Sequence, residues 1–308
     1  MHPTYDERRG AIARRAGRLA RAVRWRLKGL LRRPRTLLVE LNWRLGDEIM
    51  ALPVLEALHT RYPDAAIEVI SNYPALFEDH PAVRAVNPAH PRPDRYVLLR
   101  GASRRMWRLA EYSRKAGIAV PDARPRLHYR DWDSELLARV PRDAAPLVAL
   151  APGASWPIKR WPREHWAELA SALHRDGLRV IVVGAAGEGL GPGLDLTGQT
   201  SVRDAACLLH AADVAVACDS GLLHLALASG TRVVGLFGPT DPEFLVRGDP
   251  NLTAIRSGLP CSGFWNHAAR AGAGGVCPAG HGSCLEDIAV DRVLEAVRAR
   301  LAEDAGGV

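Results

Sequence analysis

The run Asp213-Val214-Ala215-Val216-Ala217-Cys218-Asp219-Ser220-Gly221-Leu222-Leu223-His224 leaves this chain few folds to choose from. An apolar run of strand length passes without slack into helix formers that continue to Ala228 and stop at Gly230. A strand apolar on both faces and followed at once by a helix is the repeating unit of a parallel α/β sheet. Asp219 or Ser220 stands where a helix N-cap is needed, and Gly221 lets a ligand or another backbone come close. A helix that starts at the carboxyl end of a parallel strand presents N–H groups and a positive dipole end, which suit a phosphate. His224 falls one turn later, on the Ser220 face. A second edge of this kind follows: residues 233–237 read as a strand and Gly238-Pro239-Thr240-Asp241-Pro242 as a sharp turn. Two such turns on neighbouring strands point to a nucleotide-type ligand; two ordinary tight turns are the plain alternative.

The same alternation fills most of the chain. Strands are predicted at residues 37–41, 66–71, 83–86 and 96–99, with helices at 48–61, 74–78 and 104–115. Proline-punctuated stretches at 121–125 and 141–146 precede a second series. Its strands read at 147–150, 179–183, 194–196, 214–218, 232–237 and 252–255, and its helices at 163–175, 202–211, 220–228 and 287–302. With 308 residues there is room for two domains with real cores. The expectation is α/β: a basic segment at residues 1–34, then Rossmann-like domains at 35–142 and 143–308 whose turns enclose a cleft.

The formal net charge of +7 is a poor average. Residues 1–35 hold twelve Lys or Arg against Asp6 and Glu7, a net +10, which leaves the remainder at −3. A nucleic-acid binder spreads basic charge over its folded surface, so no nucleic-acid partner is expected. Within the basic segment Ile12, Ala16, Leu19, Val23, Leu27 and Leu30 form one apolar helical stripe among the arginines. That pattern predicts an interfacial helix over residues 8–33 on an anionic membrane surface; docking on the protein's own domain or a frayed tail are the alternatives. No apolar run is long enough to span a bilayer, and the Arg-rich start makes a poor secretory signal. A cytoplasmic protein, peripheral on the inner face of the cytoplasmic membrane, is the resulting expectation.

Four blocks, in order, carry a family resemblance. They are Leu45-Gly46-Asp47 with Pro53 and Arg61-Tyr62-Pro63; Ala151-Pro152-Gly153-Ala154 with Lys159-Arg160-Trp161-Pro162 and His165-Trp166; Asp219-Ser220-Gly221-Leu222 with His224; and Gly238-Pro239-Thr240-Asp241-Pro242. Together they resemble glycosyltransferase family 9, the heptosyltransferases of lipopolysaccharide core assembly, over residues 36–300. The resemblance implies a GT-B fold with parallel sheets facing across a cleft. It further implies inverting, metal-independent transfer without a cofactor, from a nucleotide sugar (ADP-heptose) to a lipopolysaccharide-core or related glycolipid acceptor.

Inverting transfer needs a base to take the acceptor hydroxyl's proton, and Asp47 matches the family's catalytic Asp. A simple helix cap is the competing role for Asp47. The departing nucleotide diphosphate gathers negative charge, so cations and oriented N–H groups must stabilise it. Lys159 matches the family's phosphate-neutralising Lys, with Arg160 a second cation. Ser155 is placed to donate a hydroxyl, the start at Ser220-Gly221-Leu222 to donate amides, and His224 or Thr240 to add a contact. Gly184 and Glu188, in Val182-Val183-Gly184-Ala185-Ala186-Gly187-Glu188, resemble the glycine turn and ribose-binding acid of dinucleotide folds. Asp219 is left between orienting His224 and binding a sugar hydroxyl.

Five cysteines argue against a disulfide framework. Cys207 and Cys218 sit in apolar runs and are expected to be buried. Cys261, Cys277, His281 and Cys284 supply the ligand types of a structural zinc site, but their spacing matches no common zinc pair. A packed or redox-labile loop is the preferred reading there, with no metal in the active site. Asp131-Trp132-Asp133 has the form of the metal-binding triplet of other transferases, yet it precedes a helix-like segment and reads as a cap. Competing functions are a GT-B-like nucleotide-sugar epimerase or hydrolase, which needs no membrane appendage, and a non-catalytic nucleotide-sugar binder, which needs no base.

Overall fold

A computed structural model describes residues 33–100, 106–267, 277, 280 and 284–305. The basic helix expected at 8–33 lies almost wholly outside the described residues, as does His281. No helix among the described residues is long and apolar enough to cross a membrane.

The first unit runs β1 (Thr36–Glu40), α1 (Leu45–Ile49), α2 (Leu52–Arg61), β2 (Ala66–Ile70), β3 (Val83–Val86), β4 (Arg95–Leu98) and α3 (Arg108–Ala116). Its four parallel strands lie in the order β3-β2-β1-β4. The second unit holds β5 (Leu147–Ala151), α4 (Arg163–Arg175), β6 (Arg179–Val182), β7 (Leu194–Asp195), α5 (Val202–His210) and β8 (Val214–Cys218). It continues with α6 (Gly221–Ala228), β9 (Arg232–Phe237), β10 (Leu252–Arg256), the short α7 (Phe264–His267) and α8 (Val290–Ala305). Its six strands, also parallel, take the order β10-β9-β8-β5-β6-β7. Every residue of β5 and β8 is buried, as strands covered by helices on both faces must be.

Two corrections concern helices. The helix expected over 48–61 is two helices, because Pro53 lacks the N–H that would bond the Ile49 carbonyl; α2 restarts with Pro53 in its first turn. The helix expected from residue 287 begins at Val290. The Asp131-Trp132-Asp133 triplet caps nothing: Ser134 caps the 3₁₀ turn Glu135–Arg139, and Trp132 stacks on His210 at a ring separation of 4.0 Å.

Each sheet reverses its strand order once, between β1 and β4 in the first and between β5 and β8 in the second. Loops leaving the carboxyl ends of strands at such a reversal diverge and open a crevice. Here those loops are residues 41–44 after β1, 152–156 after β5 and 219–220 after β8.

The two units share an apolar core. One continuous cluster joins Val39, Ile49 and Leu55 of the first unit to Ala149, Leu208 and Leu225 of the second. A separate layer of Val148, Trp166, Leu173 and Val293 covers the far face of the second sheet. The tightest approach is between α1 and α6. A Cβ built on Gly46 would stand 2.7 Å from His224 Cδ2, and one on Gly221 would stand 3.0 Å from the Leu45 side chain. Two helix N-termini therefore meet at glycine. Gly46→Ala should destabilise the protein by about 1–3 kcal/mol, despite Ala's better helix propensity, because the buried His224 ring must shift. In urea unfolding, removing that ring with His224→Ala should abolish most of the penalty; additive losses would show that the glycine is not there for the ring.

Candidate functional site

Asp47 owes its position to Glu48. Asn42, at φ +37°, turns the chain sharply after β1, a conformation Asn tolerates better than most residues. The buried Glu48 carboxylate then accepts the backbone N–H of Trp43 at 3.0 Å and of Asn72 at 3.1 Å, and also the Ser71 hydroxyl. This brace holds the loop and sets the first turn of α1. Asp47 lies inside that turn, not in a loop before it, and the N-cap position belongs to Arg44. Its Oδ1 is 3.5 Å from Arg108 Nε, and its backbone carbonyl accepts Tyr112 Oη–H at 3.3 Å. Burial raises the Asp47 carboxyl above the ordinary range; Arg108, His224, Arg44 and Lys159 oppose that rise and do not cancel it.

Across the crevice the buried Asp219 carboxylate organises the second unit's edge. Lys159 Nζ and the Thr240 hydroxyl both donate to Oδ2, and His224 Nε2 is 3.8 Å from Oδ1. Burial would raise this carboxyl, but the charge of Lys159, the nearby His224 ring and the Lys159 hydrogen bond together hold it well below the usual carboxylate range. Asp219 is thus no N-cap. Ser220 occupies the N-cap position, yet its side chain makes no capping bond and its Oγ is buried without a partner. No protein acceptor among the described residues takes the N–H of Gly221 or Leu222. The N-terminus of α6 therefore keeps unused donors at the crevice.

A cleft of about 960 Å³ joins these edges. Asp47, Ser155, Lys159, Arg160, Glu188, Asp219, Ser220, Gly221, Leu222, His224 and Thr240 all line it. Gly184 does not line it; it lies beneath Glu188, whose Oε2 accepts the Ala185 N–H at 2.8 Å. Thr240 donates its hydroxyl to Asp219. Arg160 Nε donates to the Ala154 carbonyl at 2.8 Å, which steadies the turn after β5.

Several cleft residues were not singled out from the sequence. Arg44 reaches Ser155 Oγ at 3.4 Å and lies 5.8 Å from the Trp156 ring centre, while Lys159 Nζ lies 4.7 Å from it. Trp156 meets Trp265 edge-on at 4.6 Å, making an aromatic wall beside the two cations. Arg44 adjoins the Leu45-Gly46-Asp47 block, so the block's flank was the available signal. Arg108 had none, since it comes to Asp47 only through the packing of α3 on α2.

Behind that wall Ile158, Phe264, Cys277 and Cys284 pack together, and Cys284 N–H donates to the Ile158 carbonyl at 3.1 Å. The Cys277 thiol raises the pKa of both Cys261 and Cys284, so the three thiols are close enough to act on one another. Burial, and then Cys277 and Cys261, push the Cys284 thiol up to about 12. Cys207 and Cys218 are buried.

Asp219→Asn should cost about 2 kcal/mol at neutral pH, because Lys159 loses its charged partner but still borders the open cleft. A carboxyl whose folded pKa is depressed contributes stability above its unfolded value of about 3.9 and loses it as the pH falls further. The gap in urea midpoint between wild type and variant should therefore narrow below about pH 4. A gap independent of pH would remove Asp219's charge from the account.

Comparison with known proteins agrees with this geometry. Residues 104–266, just over half of the chain, match the family model described as glycosyltransferase family 9 (heptosyltransferase). Lipopolysaccharide heptosyltransferase 2 of Salmonella typhimurium is 33% identical over 174 residues, 52% of this chain and 48% of that protein. The match thus spans about half the length of that relative. Among solved structures, E. coli ADP-heptose lps heptosyltransferase II superposes with a TM-score of 0.68 at 22% identity, over 88% of this chain and 100% of that one. E. coli heptosyltransferase WaaC with ADP-2-deoxy-2-fluoro heptose gives 0.60 at 18% identity, over 86% and 99%. The fold is GT-B, and the chain belongs to glycosyltransferase family 9.

Proposed function

We propose that this protein is an inverting glycosyltransferase that moves heptose from ADP-heptose onto a lipopolysaccharide-core or related glycolipid acceptor. One observation carries the reading. Asp47 of the first unit faces the cation and helix N-terminus of the other unit across one cleft, near enough for Lys159 and His224 to act on its charge. The named relatives support the heptosyl donor and the lipopolysaccharide acceptor.

In this reading the donor's pyrophosphate lies against the N–H groups of Gly221 and Leu222 and the buried Ser220 hydroxyl. Lys159 turns from Asp219 toward the phosphate oxygens, and Arg44 and Arg160 border the same space. As the glycosidic bond breaks, the growing negative charge is met by donors already in place. Asp47, on the opposite wall, takes the proton of the acceptor hydroxyl as its oxygen attacks the anomeric carbon. No step calls on a metal ion. The Arg-rich, apolar-striped segment at residues 8–33 supports docking on the anionic inner face of the cytoplasmic membrane, where a lipid-embedded acceptor would be met.

Asp47→Asn should lower turnover by roughly 10²–10⁴-fold while donor affinity stays within a few-fold of wild type. Undiminished transfer would remove Asp47 as the base. Because burial raises the Asp47 carboxyl, its base form is populated only above that raised value, and kcat/KM should fall as the pH drops through it. Arg108→Met takes away the strongest opposing charge and should move this acid limb to higher pH; a limb that stays put would argue against the pairing. Calorimetric titration with ADP, UDP and GDP tests the donor. Tightest binding to ADP fits the proposal, and a clear preference for UDP or GDP overturns it.

A further inference from the structure

Away from the cleft, three metal-ligating side chains from separate elements converge. Glu56 projects from α2, His80 follows β2 by one 3₁₀ turn, and His128 lies on the connection between the two sheets. One ligand atom from each lies within 4.8 Å of the other two. His128 Nε2 is 3.2 Å from Glu56 Oε1, and the His80 and His128 rings meet edge-on at 4.7 Å.

His80 shows that this cluster is incomplete. The residue is only 4% exposed, yet its Nε2 has no hydrogen-bond partner. Its Nδ1 accepts the Ala82 N–H at 3.2 Å. With Nδ1 accepting, the neutral ring carries its proton on Nε2; a metal at Nε2 takes the other tautomer, in which that proton moves to Nδ1 and the Ala82 hydrogen bond is given up. A buried, unpartnered imidazole nitrogen is costly, and native proteins rarely leave one. Arg126 is the opposing charge: its Nη1 lies 3.8 Å from Glu56 Oε2. Its other nitrogen is held by Asp122 at 2.6 Å, so part of that charge is answered outside the cluster.

We propose that His80, His128 and Glu56 form a divalent transition-metal site. Two imidazoles and one carboxylate suit zinc, and equally cobalt(II) as its spectroscopic substitute; water fills the remaining position. The site is structural. It fastens the connection between the sheets, through His128, to the helix and turn of the first unit, and it needs no part of the sugar-transfer machinery. A metal held here differs in ligands from one held by the thiols of Cys261, Cys277 and Cys284. The two are separable by spectrum: nitrogen and oxygen ligands give cobalt(II) only weak visible bands, whereas thiolates add an intense ultraviolet charge-transfer band.

The test is cobalt(II) titration of the chelator-treated full-length chain, followed by visible and ultraviolet absorption. His128→Gln and Glu56→Gln are run in parallel, since both side chains are partly exposed and their loss leaves the buried His80 in place. The expected result is uptake of one equivalent without the thiolate band, with affinity reduced roughly tenfold or more in each variant. Zinc should raise the thermal midpoint of the wild type and not of the variants, whose metal-free midpoints stay near that of the wild type. Absence of cobalt uptake, uptake only with the thiolate band, or uptake unchanged in both variants would each overturn the assignment.

Discussion

The meeting of two helix N-termini at Gly46 and Gly221 is the contact on which the rest of this structure depends. Helix ends with unsatisfied N–H groups ordinarily repel one another, since both carry partial positive charge. Here they approach until the His224 ring touches Gly46 and the Leu45 side chain touches Gly221. The apolar core that runs through both units stabilises the arrangement, and the acids at the junction answer its positive charge. Asp47 sits in the first turn of α1 and Asp219 immediately before α6. The same positive field that these acids relieve is what a pyrophosphate would meet.

Two carboxylates in this field are pushed in opposite directions. Asp219 has Lys159 and His224 beside it, and these charges and bonds outweigh its burial, so it remains ionised. Asp47 has Arg108 at a longer 3.5 Å, and burial prevails, so its proton affinity rises. One acid is suited to hold a cation in position, and the other has its proton affinity raised. Lys159 links them, because a phosphate that draws Lys159 away from Asp219 also changes the charge facing Asp47.

Much of this was legible in the chain. The buried strands β5 and β8 announced themselves as apolar runs, and the turns after them carried the residues that line the cleft. Asp47, Lys159 and Asp219 stood in compact blocks where turn chemistry ties a side chain to a strand end. Other features depend on contacts that no local pattern encodes. Arg108 reaches Asp47 from sixty-one residues away through helix packing. Trp156 and Trp265 form one wall although they come from different loops, and the break between α1 and α2 follows from Pro53 inside a long apolar pattern. The cluster of Glu56, His80 and His128 draws on three elements, none of which looks like a metal motif by itself.

The unused amides at the start of α6 are where a bound pyrophosphate would leave its most direct trace. Amide ¹H–¹⁵N spectra of the full chain, recorded while ADP is added, report on them directly. The Gly221 and Leu222 resonances should move downfield and saturate with the binding curve, as N–H groups that gain a phosphate acceptor do. Binding of ADP that leaves those two resonances in place would contradict that placement of the pyrophosphate.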